Sequence, residues 1–217
     1  MSDDSAPLEG LEIDDGQHKP LRALGGELVL LTGPVGCGKT RFLRKMAGLS
    51  PFDGHLRCRL AGIIWPDIRA HRHWVRMRMD TVPALWLGQR VGEELGFGLS
   101  PKPDIHRMRH ALDRWHLEEL ALNDTLAGLD RLQGVRLCLA AMSLASPKLA
   151  LLDDPVSSLP LADGEQLRRE IAAWAESSRC IVLAACNRWQ EWHEASQVWH
   201  IASRGEWPQR METENDE

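Results

Sequence analysis

Eight consecutive residues, Gly33, Pro34, Val35, Gly36, Cys37, Gly38, Lys39 and Thr40, have the spacing of a phosphate-binding loop, with glycines at the first and sixth positions and a lysine and a hydroxyl residue closing it. The chemistry of that pattern is specific. Glycines let backbone N–H groups converge on a β-phosphate, and a helix starting at the loop's end offers its positive pole. Lys39 would reach the β- and γ-oxygens, and the Thr40 hydroxyl would ligate Mg²⁺. Such a loop also needs a distant acid at a strand end to hold the metal's shell, and Leu149-Ala150-Leu151-Leu152-Asp153 supplies Asp153. The expected ligand is a nucleoside triphosphate as its magnesium complex, with ATP and Mg²⁺ as the cofactors.

The loop can do this only between a strand and a helix. Glu27 to Thr32 is a short apolar run ending in a glycine, the pattern of a strand buried on both faces. From Thr40 onward Phe42, Leu43, Met46 and Ala47 recur on one helical face until Gly48 can stop it. Two further buried-strand patterns, Leu149 to Asp153 and Ile181 to Ala185, flank a helix striped by Leu167, Ile171 and Trp174, which is a βαβ rhythm. Gln197 to Ile201, followed by a turn at Ser203 to Glu206, resembles a closing hairpin. Between 84 and 146 the chain reads as helical instead, with Ile105, Met108, Leu112, Trp115 and Leu120 in one segment and Val135 to Ala145 in another. The expected organisation is an acidic leader (1–20), an α/β core (21–83 and 147–207), an inserted helical subdomain (84–146) and an acidic tail (208–217).

Composition limits the alternatives. The chain has 217 residues and a net charge of −5, with acids gathered at both ends as solvated tails. Its five scattered cysteines lack CxxC spacing, which argues against a disulfide framework or zinc site and for a reducing cytoplasm. No signal-peptide pattern is read, and no apolar run approaches the roughly 20 residues of a membrane-spanning helix, so membrane association is expected to go through a partner. The basic run from Arg69 to Arg78 is weak ground for nucleic-acid binding in an acidic protein, and none is expected.

Beyond the loop and the acid, the order of motifs resembles the nucleotide-binding subunits of ATP-binding cassette (ABC) transporters, from about Gly25 to Trp207. Asp153-Asp154-Pro155-Val156-Ser157-Ser158-Leu159-Pro160 is similar to the family's DEPTSALD, Ala145 to Leu152 to its DPKLLLL, and Thr81 to Leu99 to the stretch from the glutamine loop through VxENVAFGL. The resemblance implies a P-loop core of ABC ATPase type with a helical insertion. It also implies a dimer with a copy of itself or a related subunit, and a separate membrane permease, to which the chain would be peripheral. Asp153 falls on the metal-holding acid. Asp154, one methylene shorter than the usual glutamate, falls on the residue that polarises the attacking water, so the expected catalytic pair is Asp154 and Lys39.

The departures are as specific. The glutamine position is Thr81, the LSGGQ signature becomes Leu129-Asp130-Arg131-Leu132-Gln133, and the histidine after the next strand is Cys186. Arg136 still matches the arginine beyond the signature. No tyrosine exists to stack on adenine, leaving His18 as the candidate. The expected function is an ATP-binding transporter subunit with weak hydrolysis; a binding-only or regulatory protein and a P-loop kinase are the alternatives. His106 and His110, four apart on a helix, lack a third metal ligand and are expected to be surface histidines. Cys37 is either a thiol activated at a helix N-terminus or a small filler in the loop. Most of the nine tryptophans are expected in the core, with Trp86 divided between core and interface.

Overall fold

The computed structural model describes residues 10–51, 56–64, 73–79 and 86–211. The chain runs β1 (Gly10–Asp14), β2 (Leu21–Leu24), β3 (Leu28–Thr32), α1 (Lys39–Met46), β4 (Arg57–Leu60), β5 (Ile63–Ile64), β6 (Val75–Arg78), α2 (Val91–Leu95), α3 (Ile105–Arg114), α4 (Arg131–Leu144), β7 (Leu149–Asp153), α5 (Leu161–Ser178), β8 (Ile181–Ala185), β9 (Gln197–His200) and β10 (Gln209–Met211). Six strands form one sheet in the order β10-β9-β3-β8-β7-β6, parallel except for the β9–β10 pair. The other four form an antiparallel sheet, β2-β1-β4-β5.

Alternation along the central strands explains both cores. Leu28 and Leu30 of β3, Ala150 and Leu152 of β7 and Val182 and Ala184 of β8 face α5 and the helices of the 91–144 segment. Val29, Leu31, Leu149, Leu151, Ile181 and Leu183 face the opposite way, onto Phe42, Leu43 and Met46 of α1 and the inner face of the antiparallel sheet. A parallel strand covered on both faces has no room for polar residues, and that is why these runs are continuously apolar.

Two readings change. Leu11 and Ile13 point inward at 2% and 0% exposure, so the supposed leader contributes strand β1, and the supposed tail contributes β10. Acidic neighbours had masked a short inward alternation. In α3, Ala111 and Leu112 are buried while Ile105 is 66% exposed, because the helix begins there and its first turn overhangs the core. The described end of the basic run is β6, with Arg78 buried. Trp115 and Trp174 are core, packed edge to face at 5.6 Å, whereas Trp86 is half-buried over Gly134.

Candidate functional site

Strand β3 delivers the chain to the loop at the C-terminal edge of the parallel sheet. Gly33 leaves it at φ 145°, and a Cβ there would collide with the Ile201 carbonyl, so only glycine fits. Gly36 (φ 83°) and Gly38 (φ 113°) have the opposite surroundings: a Cβ on either would project into open space, so the loop is a cradle. Gly38 is the N-cap of α1, which has neither a side-chain cap nor an acid in its first turn, so its terminal N–H groups are left for an anion. Val35 stands on the loop at 91% exposure, and the Pro34 carbonyl accepts from Cys37 N–H.

Lys39 Nζ donates to the Gly33 and Pro34 carbonyls at 2.8 and 3.3 Å, holding its charge over the loop. Thr40 Oγ1 donates to both Asp153 oxygens, at 3.1 and 2.9 Å, although 113 residues separate them in sequence. That contact needs β3 and β7 to end at the same edge with β8 between them, as the strand order provides. A glycine cradle, an ammonium, a hydroxyl and a carboxylate thus converge, and this donor set fits a magnesium triphosphate: Mg²⁺ takes one or two protein oxygens and draws the rest of its shell from phosphate and water. Among the described residues no three His, Cys, Asp or Glu side chains cluster for a metal, and His106 and His110 lie exposed on α3.

Beside this set, Asp154 adopts a left-handed φ of 48°, with its N–H donating to Ala185 O. Asn187 Nδ2 donates to Asp154 Oδ2 at 3.0 Å, a contact that fixes the carboxylate and that sequence reasoning missed. Its signal was its place directly after Cys186. Cys186 is 2% exposed, and burial pushes its thiol up to about 12, with Asp154 adding to the shift, so it stays neutral and cannot act as a charged proton carrier. Cys37 is also buried, with its sulfur turned toward Gly33 and packed in the core beneath the loop, so it is a filler there.

The degenerate signature is built differently from the cradle. Asp130 is the N-cap of α4 and accepts from Gln133 N at 2.8 Å, while Gln133 Oε1 accepts from Asp130 N at 3.0 Å, which completes a capping box. Arg131 Nε donates to Ser158 Oγ at 2.7 Å, tying the signature to the segment after Asp154. Leu129 and Leu132 pack on the core. Arg136 makes two bonds to Glu170 of α5, at 3.2 and 2.6 Å, and both side chains are almost wholly buried. Thr81 lies outside the described residues.

Away from the loop runs a cleft of about 1000 Å³ lined by the Gly36–Gly38 backbone, Arg41, Lys45, His18, Arg204 and Trp207. Lining the same cleft, Asp15 binds His18 Nδ1 at 2.7 Å.

A glycine loop joining a central parallel strand to a helix, facing an acid at the end of a strand two places away, defines an α/β protein of P-loop type. The model of the ABC transporter family matches residues 21–157, and the chain belongs to that family. It is 31% identical over 175 residues to the spermidine/putrescine import ATP-binding protein PotA of Oleidesulfovibrio alaskensis, covering 78% of this chain and 44% of that one. To the sulfate/thiosulfate import ATP-binding protein CysA of Methylococcus capsulatus it is 35% identical over 174 residues, covering 75% and 46%. The chain therefore spans less than half the length of these curated relatives. In fold it is similar to cbiO1 of Clostridium perfringens, part of the ABC transporter complex cbiONQ (TM-score 0.76, 14% identity, 88% of this chain and 84% of that one). It is equally similar to a nucleotide-free ATP-binding cassette from an ABC transporter (TM-score 0.76, 14% identity, 94% and 92%).

Proposed function

We propose that the chain is an ATP-binding subunit of an ABC-type transporter: it binds Mg-ATP, pairs with a copy of itself or a related subunit, and acts at the membrane through a permease on a separate chain. No helix among the described residues is long and apolar enough to cross a bilayer, which accords with a separate permease. The observation that carries the reading is the Thr40–Asp153 contact beside the open α1 N-terminus. Lys39 would exchange its two carbonyl partners for phosphate oxygens, the Gly36 and Gly38 amides would cradle the β-phosphate, and Thr40 and Asp153 would hold the metal. Bound Mg²⁺ would neutralise charge on the phosphates. Asp154, oriented by Asn187, is the group that would accept the proton of an attacking water.

Phosphoryl transfer rests mainly on positioning and charge stabilisation. The site is better equipped for holding ATP than for cleaving it to ADP and phosphate, since Cys186 stays neutral and the α4 N-terminus is already occupied by Asp130. The same two features support the second reading, a binding-only or regulatory member of the family. Calorimetric titration with Mg-ATP tests the assignment. Lys39→Ala should weaken binding by about 100-fold or more, two charge-assisted hydrogen bonds being worth roughly 1.5–3 kcal/mol each, while Cys186→Ala should leave it nearly intact. Equal losses would overturn the assignment. Turnover that stays undetectable with a co-purified permease present would favour the binding-only reading.

A further inference from the structure

A second depression shares no residue with the cleft beside the phosphate cradle. It is a groove of about 600 Å³ between α3 and the C-terminal ends of α4 and α5. Because α5 ends at Ser178, just before β8 starts at Ile181, the groove sits at the N-terminal edge of the parallel sheet, whereas the cradle sits at the C-terminal edge. One wall is α3, whose His106, Arg107, His110 and Arg114 fall along one stripe of the helix, and no acidic side chain lines the groove. In a chain of net charge −5 that is a local reversal of sign. We propose that this groove docks an acidic peptide segment of a partner protein, at a site independent of the nucleotide.

The two guanidiniums are held at the groove without being neutralised. Arg107 Nη2 donates to the carbonyl of Leu144, the last residue of α4, at 3.3 Å, and Arg114 Nη2 donates to Ser177 Oγ at 2.7 Å and Ala173 O at 3.4 Å, both on α5. Carbonyl and hydroxyl oxygens offset only part of a unit charge. Neither arginine has an ion-pair partner among the described residues, in contrast to Arg136 and Arg168, so each keeps most of its five N–H groups for another acceptor. Beneath them Trp174 lines the groove at 2% exposure, packed edge to face on Trp115, and its indole N–H has no acceptor among the described residues. A nearly buried donor left unpaired is costly, and a carboxylate settling in the groove would satisfy it. The groove's length selects the kind of anion. Between Arg107 and Arg114 the helix advances about 10 Å, at roughly 1.5 Å per residue. An extended chain covers that distance in about three residues, at roughly 3.3 Å each, so a run of four or more acidic residues matches the groove in charge and length better than a single small anion does.

Calorimetric titration of the full chain at low salt tests this, with acetylated hexaglutamate amide as the peptide probe and citrate as the small anion. Wild-type protein should bind hexaglutamate more tightly than citrate, and more weakly as salt rises. Arg107→Gln and Arg114→Gln should each weaken the peptide by about 2- to 5-fold, the worth of one exposed ion pair, and the double variant by about 5- to 20-fold. Trp174→Phe keeps a ring in the core and loses the indole N–H, so it should weaken the peptide while its melting curve shows it folded. Arg169→Gln removes the same charge from α5 outside the groove, where Arg169 pairs with Glu165 at 2.8 Å, and should leave the peptide's affinity unchanged. Wild-type protein that binds no hexaglutamate, or a double variant that binds it as wild type does, would overturn the proposal. Citrate bound as tightly as the peptide would overturn it too, as would an Arg169→Gln loss equal to that of Arg114→Gln, which would mean attraction by overall charge. None of these outcomes bears on the nucleotide site.

Discussion

Removing the Asp130 carboxylate examines the structural role assigned to the divergent signature. It occupies the α4 N-terminus from within, accepting Gln133 N–H at 2.8 Å while the Gln133 side chain returns the bond at 3.0 Å. Loss of an N-cap costs about 1 kcal/mol, within roughly 0.5–2. For a domain of this size each kcal/mol moves the melting midpoint by about 2–4 °C. Asp130→Ala should therefore lower Tm by about 2–4 °C, and Asp130→Ser, whose hydroxyl can also cap, by less. Gln133→Ala removes the other arm and also the bond to Glu119 at 3.2 Å. Because both substitutions break one box, the double variant should lose measurably less than the sum of the singles. Scanning calorimetry with urea titration measures all four. Full additivity, or an Asp130→Ala variant as stable as wild type, would refute the box. The result also bears on function: converting the whole signature toward LSGGQ would replace Arg131, tied to Ser158, and Leu132, packed on the core, so Asp130→Ser alone is the cleaner variant for asking whether turnover rises.

The Arg136–Glu170 pair joins α4 to α5 with side chains 10% and 12% exposed, and without the guanidinium Glu170 keeps Gln166 Nε2 at 2.9 Å and His116 Nε2 at 3.5 Å, so Arg136→Ala should cost about 1.5–3 kcal/mol in urea unfolding; a loss under 1 kcal/mol would mean the pair is solvated. Burial raises the Cys180 and Cys186 thiols from 9.0 to about 12, which means the unfolded chain releases protons that the folded one retains, and stability should fall as pH rises from about 9 toward 12. Denaturant midpoints between pH 8 and 11 check this, and Cys180→Ala should flatten the slope; a slope unaltered by the substitution would place its source elsewhere.

The parts of the site written in contiguous sequence were legible. A loop of fixed spacing between a strand and a helix announces itself, and Asp153 follows because an apolar run ending in an acid is a parallel strand reaching the sheet's edge. What escaped depended on partners far apart in the chain. Asn187 acquires a role only when β8 ends beside β7, and Trp207 meets His18 only because the β9–β10 turn returns alongside the β1–β2 turn. The antiparallel sheet was missed because its strands are short and one face carries charge, with Glu12 paired to Arg22 at 2.8 Å, so the leader resembled a tail. Cys37 was ambiguous because a loop's spacing says nothing of which way a small side chain turns. At Asp130 sequence fixed the charge but not its destination, which is the helix's own N–H.

Gly33 rests under the carbonyl of Ile201, at the end of β9, and the hairpin that β9 opens carries Trp207. The floor of the phosphate cradle and the hairpin wall of the cleft are therefore built on the same strand end. A side chain larger than hydrogen at residue 33 would wedge that junction apart and push the hairpin away from the loop.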